Sequence, residues 1–461
     1  MNLNLNKIIS SIRLWEFLPK IIGRRYIFLV IFVVNISSLI NGMSFAWSSP
    51  TLVKLKETND NLLGNPITPD QSDLIGSLFY IGAAIGPLLV IWSLETLGRR
   101  PTLIVLGLPL TLSYILLAVA KSIEIYYLCR VVLGIIVGGI VCVGPVYSSE
   151  ILPVNLRGSL MSLSNSFIQG GSLLAYVIGP YMPIAMFNLT IAILSMIFVV
   201  LFVLICPESP YFIMLAKGKE ESKNVLEIVR QDNVTDELNS IETSIKNEEK
   251  RSYLRIFETR HNIKCFILAT TVLIIQQVTG INIVIGYSQL IFLESKIDFS
   301  SEKCSIIVGC LQVISSFIAP ILSDRFPRKK MLCFSLFTMC LCNFIICSYF
   351  FFLKDLHLVS WLPLLTLAFF VVLDNCGDGP LPWVLLGELY PSEIRSVGPA
   401  LSTTIYYIAQ FILTFLFNKV ELKFMFFVYA WCCLFGTAFI HYFIPETSGK
   451  TLNDIQEALR R

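Results

Sequence analysis

The chain has 461 residues, of which 55% are hydrophobic and 15% charged, with a formal net charge of +3. Ordinary soluble domains carry roughly 25% charged residues, so a water-soluble globule of this size is excluded and a multi-span membrane protein is implied. Thirteen cysteines without a CxxC pair, and isolated His261, His357 and His441, exclude a zinc site, a redox motif and a nucleophile–base pair. The chain therefore reads as no enzyme, with no cofactor and no metal.

Residues 1–25 are polar and basic. The apolar run that follows is too long for the core of a cleavable signal peptide and reads as a retained first span. A helix needs about 20 apolar residues to cross the hydrocarbon core. Twelve such runs lie near 26–47, 72–93, 102–120, 125–147, 160–181, 187–206, 264–289, 304–322, 331–353, 360–386, 397–417 and 424–444. The strict alternation of a membrane barrel is absent, so the predicted fold class is all-α, a helical bundle. Two polar segments interrupt the series. One is a loop near 50–70; the other, near 207–262, contains "EESKNVLEIVR" and "DELNSIETSI", patterns that predict short surface helices.

Lys and Arg set the orientation. They cluster before span 1 (Arg13, Lys20, Arg24, Arg25), after span 2 (Arg99, Arg100) and after span 4 (Arg157). They recur in the central segment, after span 8 (Arg325, Arg328, Lys329, Lys330), after span 10 (Arg395) and after span 12 (Lys450, Arg460, Arg461). These are alternate loops on one side, which predicts cytoplasmic termini in an integral, plasma-membrane protein. The predicted parts are a cytoplasmic N-terminus (1–25), a six-helix half (26–206), a cytoplasmic linker (207–262), a second six-helix half (263–444) and a cytoplasmic tail (445–461).

Three signatures occur twice. "ETLGRRP" at 95–101 matches "DRFPRKK" at 324–330. Glu150 and Arg157 lie seven apart, as do Glu388 and Arg395. "PESP" at 207–210 matches "PETS" at 445–448. The last two pairs stand the same distance apart, 388 from 150 and 445 from 207, an offset of 238 residues. A shared offset implies a duplicated six-helix unit, a plan in which transporters hold substrate between halves near mid-membrane. Taken together, these motifs resemble the sugar porter branch of the major facilitator superfamily over essentially the whole chain. "AWSSP" at 46–50 further resembles the insect facilitated trehalose transporters.

Each constellation has a bland and a functional reading. The cytoplasmic charges Glu95, Arg99, Arg100, Glu150, Arg157, Asp324, Arg325, Arg328, Glu388 and Arg395 could be topology anchors and solvated pairs. Positive-inside bias does not ask for carboxylates, however. The functional reading is a lock between the halves that biases a two-state equilibrium, and the resemblance implies the same role. "CGDGPLPW" at 376–383 breaks a lipid-buried helix; it is either a packing kink or a hinge. The resemblance marks Gly379, Pro380, Pro382 and Trp383, with the Trp383 ring facing a sugar. Asp374 and Asp378 share a helix face, and intramembrane acids are functional candidates. Backbone satisfaction, a sugar contact (Asp378) and a coupled proton remain open. Span 1 carries only "SFAWSS" and no carboxylate, which favours uncoupled transport.

The amides Gln276, Gln277 and Asn282 in span 7, Asn165 in span 5 and Gln312 in span 8 could be interhelical glue. Three within two turns instead suggest a pore lining, because an amide serves a hydroxyl that both gives and takes. Asn375 in span 10 joins the candidate sugar contacts. The resemblance places Gln276, Gln277, Asn282 and Gln312 at sugar-contacting positions and Tyr287 at a gate, while Asn165 stands where Gln is typical and Gly286 where a tyrosine is frequent. Arg130 is the obvious intramembrane cation. Asn188, in "NLT", is a candidate glycosylation site. The predicted function is facilitated transport of trehalose or a hexose by alternating access. A proton-coupled symporter and a sugar sensor on the same fold are the alternatives. The expected partners are a small sugar and the bilayer; nucleic acid is not expected and no oligomer is required.

Overall fold

The computed structural model describes residues 25–57, 63–230, 234–246, 255–391, 394 and 397–460. Among them every regular element is helical. Ten helical stretches are long and apolar enough to cross a membrane. Two further long helices, Val154–Ile178 and Gly398–Phe415, complete the twelve predicted spans. Span numbers below follow that order. Large apolar side chains such as Phe32, Leu89, Trp92, Leu112, Phe334 and Phe369 are exposed, as a lipid-facing surface requires.

Lipid tails are as apolar as leucine, so close packing rather than the hydrophobic effect joins membrane helices. Spans 2 (Pro69–Thr96) and 4 (Ile123–Ile151) show how this is done. Gly82 and Gly86 face Gly134 and Gly138, each spaced by four residues. A Cβ at any of the four would stand 1.9–2.4 Å from a backbone oxygen of the other helix. Gly42 and Gly171 bring spans 1 and 5 together in the same way.

Four spans depart from a single straight helix. Span 1 runs Tyr26–Ala46 and continues, after Trp47, as Ser48–Lys56. Span 7 is Arg260–Val278 followed by Ile281–Glu294. Span 9 (Arg328–Ser348) ends in a π-helical turn at Tyr349–Leu353. Span 10 is Leu362–Leu373, a π segment at Asp374–Asp378, and Leu381–Leu389. The central polar segment forms short helices at Pro210–Lys217, Lys219–Arg230, Thr235–Lys246 and Arg255–Glu258. It lies at one membrane face, here the linker face, with the starts of spans 1 and 7 and the end of span 12.

Candidate functional site

The amide cluster is built by the break in span 7. Gly280 adopts φ +91°, a left-handed conformation that favours glycine, and a Cβ there would meet the Tyr429 ring at 2.5 Å. The helix stops at Val278 and restarts at Ile281, so Gln276, Gln277 and Asn282 flank one bend. Gln276 Nε2 donates to the carbonyls of Asp378 (2.7 Å) and Gly379 (2.9 Å). Asn282 Nδ2 donates to Gln277 Oε1 (2.9 Å) and to the Tyr406 hydroxyl (3.3 Å). That leaves Gln276 Oε1, Gln277 Nε2 and both amide atoms of buried Gln312 without partners. An unpaired buried amide atom costs about 1–3 kcal/mol, so these atoms are free to take a ligand's hydrogen bonds.

Span 10 supplies the facing wall. Its π segment closes with the Gly379 N–H donating to Asp374 O (2.7 Å). π-Bulges of this kind recur at functional sites. Gly377 permits it: a Cβ there would reach Ser335 Cβ at 2.4 Å. Ser335 Oγ in turn donates to Leu373 O and accepts from the Asp378 N–H. Asp374 and Asp378 are both buried, with Asp374 Oδ1 and both Asp378 carboxyl oxygens unpartnered. Thr279 neighbours Asp378, but its hydroxyl donates to Gln276 O. Asn375 Nδ2 donates to Val371 O, one turn back. Beyond the break, Pro382 is buried, Pro380 half-buried, and half-buried Trp383 meets Tyr406 edge-to-face at 5.2 Å.

In the first half, Asn165 is half-buried on span 5. One turn further, Gln169 is buried, and its Nε2 donates to Asn375 Oδ1 across the halves (3.1 Å). Sequence reasoning passed over Gln169; its spacing of four from Asn165 was the available signal. Arg130 is buried between the rings of Trp47 (4.8 Å) and Phe79 (4.3 Å), donating to Ile75 O and Ser48 Oγ. Its partners are thus neutral. Two rings and a carbonyl enclose it.

Hydrogen bonds join the halves from mid-membrane to the face opposite the linker. They include Ser316 to Ser166, Thr404 to Ala84 O, Tyr176 to Ile285 O and Gln289 N–H to Ser49. Outermost, Asn418 donates to Asp73, another pair that sequence reasoning missed because its partner is 345 residues away in the chain. Tyr287, buried, stacks on Phe417 (centroids 4.1 Å apart) with its hydroxyl against Gly76. A small cleft of about 170 Å³ lined by Lys296, Lys354, Asp355 and His357 lies at the loops of this face, away from the amides.

At the linker face the charges expected to lock the halves in the outward-facing state pair within each half. Arg99 pairs bidentately with Glu150 (both bonds 2.8 Å), and Arg328 pairs with Glu388. Each pair sits inside one half, so neither joins the halves in this structure. The reason is local: Arg99 opens span 3 beside the end of span 4, and Arg328 opens span 9 beside the end of span 10. The repeated glutamates cap the same helices. Glu208 accepts from the N–H groups of Arg99, Arg100 and Ser209, and Glu446 accepts from those of Lys329, Thr447 and Ser448. Burial pushes the Glu208 carboxyl up to about 7, opposed by its backbone donors and the Arg99 charge. Glu95 and Arg325 are exposed; Arg395 and the side chains of Arg157 and Asp324 lie outside the described residues. Asn188 corrects the glycosylation expectation. It is fully buried, its Oδ1 accepts from Trp47 Nε1 (2.8 Å), and a glycan has no room there.

Residues 30–459 match the family model described as "Sugar (and other) transporter". The chain belongs to this family. It is not an enzyme family. The chain is 30% identical to the facilitated trehalose transporter Tret1 of Bombyx mori over 447 residues, covering 94% of this chain and 86% of that one. It is also 30% identical to Tret1 of Aedes aegypti, covering 92% of this chain and 54% of that one. The chain thus spans only about half the length of several of these sugar transporter relatives. Among solved structures, the inward open xylose transporter XylE from E. coli has a TM-score of 0.79 at 22% identity, covering 94% of this chain and 99% of that one. That likeness establishes the major facilitator fold.

Proposed function

We propose that this sugar transporter moves trehalose or a hexose down its gradient, by rocking its two halves around a mid-membrane site. The observation that carries this reading is the set of buried, partly unpaired neutral amides, Gln276, Gln277 and Gln312, opposite the ring of Trp383. Neutral donors and acceptors suit a neutral polyol, whose hydroxyls both give and take hydrogen bonds, and an aromatic ring suits the C–H face of a sugar. The names of the relatives favour trehalose. Uncoupled movement is supported by Arg130, whose partners are aromatic rings, a hydroxyl and a carbonyl rather than a carboxylate. The arrangement of contacts, sealed opposite the linker, fits a carrier open toward the cytoplasm with both termini on that side.

Uptake of labelled trehalose, glucose, fructose and sucrose into liposomes holding the purified protein tests this reading. Trehalose or a hexose should equilibrate, and Gln276→Ala should lower uptake at least about tenfold, the worth of one or two lost hydrogen bonds to substrate and helix. Full uptake with unchanged affinity in that variant rules the site out. One observation favours a second reading: the paired buried acids Asp374 and Asp378. If they carry a coupled proton, a pH gradient drives accumulation above equilibrium, and an uncoupler or Asp378→Asn abolishes it.

A further inference from the structure

The seam between the halves ends, opposite the linker, on an acid. Asp73, near the start of span 2, is fully buried. Asn418, in the connection between spans 11 and 12, donates to its Oδ1, while its Oδ2 has no partner. Asn418 is exposed, so the acid lies one side chain beneath the surface. The other charged and titratable groups that face it are Lys56 from the extension of span 1, Lys419 from the same connection and buried Tyr287 of span 7. Span 4, also packed on span 2, brings Arg130 to the Ile75 carbonyl, two residues on. Among the described residues, only Asn418 bonds to the Asp73 carboxyl.

We propose that Asp73 is a proton-binding latch, neutral while this face is sealed and ionised when the halves part. A carboxylate in the sealed position has exchanged its water for one amide donor. Burying a charge with an unpaired oxygen costs far more than burying a neutral carboxyl. Asn418 belongs to the other half, so parting the halves carries it away and lets water reach both carboxyl oxygens. Acid solution at this face therefore holds the carrier sealed, and alkaline solution frees it. The proton leaves to the same solution that supplied it, so the latch sets how readily this face opens without driving sugar uphill. The inference rests on the reading that the halves part at this face.

Amide hydrogen exchange of the purified full chain in detergent tests it. Protection is read at the start of span 2 and in the connection between spans 11 and 12, with exchange times scaled for the intrinsic effect of pH. From pH 5 to pH 8 wild type should lose at least about tenfold in protection at both places, since one linked proton shifts an equilibrium by up to about tenfold per pH unit. Asp73→Asn and Asp73→Leu cannot ionise. Each should keep the acid-form protection throughout, and that protection also reports that the variant is folded. Glu208→Gln, which removes a titrating carboxyl at the linker face, should keep the wild-type response. Protection that changes with trehalose or glucose but not with pH overturns the inference and leaves the transport reading standing. Opening on acidification, or Asp73 variants that follow wild type, do the same. Protection that responds to neither pH nor either sugar removes the parting of the halves, and this inference with it.

Discussion

Glu208 shows how much of a residue's role is set by what surrounds it. Its side chain partly reaches solvent, yet its carboxyl is enclosed against the first turn of span 3, where two backbone N–H groups meet it, joined by the N–H of Ser209. Burial raises its folded-state pKa from 4.5 to about 7. A carboxyl raised in this way binds its proton more tightly folded than unfolded. Its contribution is therefore fully present below about pH 4.5 and is lost as pH rises through about 7. Glu208→Gln should flatten the pH dependence of thermal stability in detergent between pH 5 and 8. Melting curves with the wild-type slope would contradict this. The repetition of "PESP" and "PETS" was plain in the sequence; that their glutamates cap spans 3 and 9 was not, because the capped helices lie about a hundred residues upstream. Asn188 teaches the reverse. Its "NLT" matches an acceptor motif, but the side chain is fully buried and Trp47, far away in the chain, bonds its amide oxygen.

The bend at Gly280 and the π segment at Asp374–Asp378 are features of elements, and they differ in legibility. "QQVTG" reads as pore-lining amides within one continuous span, and the structure breaks span 7 there. A π segment leaves a weaker trace. "DNCGDGP" suggested a kink or hinge, but the extra residue per turn depends on Ser335 of span 9 filling the place of a Gly377 side chain. Sequence periodicity cannot register a neighbour on another span. Gly280→Ala is the sharper test. Holding a non-glycine residue in the left-handed region costs roughly 1–2 kcal/mol, and the new methyl group would press on Tyr429. The expected outcome is a lower melting temperature together with weakened sugar affinity, since Gln276, Gln277 and Asn282 all take their directions from this bend. A variant with lower stability and intact affinity would separate the bend from the site.

The whole molecule was legible as twelve spans in a duplicated plan, because length, hydropathy and repeated motifs are properties of the chain itself. What holds the halves together was not. The acid–base sets expected at their boundary brace each half internally instead, Arg99 with Glu150 and Arg328 with Glu388. Removing one partner of the more buried pair, Arg99 with Glu150, should destabilise the first half by up to about 3 kcal/mol. The seam between them is made of different material. Ser166 with Ser316, Gln169 with Asn375, Tyr176 with Ile285 and Ser49 with Gln289 are all uncharged; the outermost contact, Asn418 with Asp73, includes an acid. That has an electrical consequence. Carrying one elementary charge across the membrane field is worth about 2.3 kcal/mol per 100 mV, and opening a largely neutral seam around a neutral sugar carries little. Turnover in liposomes clamped by potassium and valinomycin should be the same at 0 and −100 mV, and a several-fold change with voltage would show that a charged side chain travels through the field.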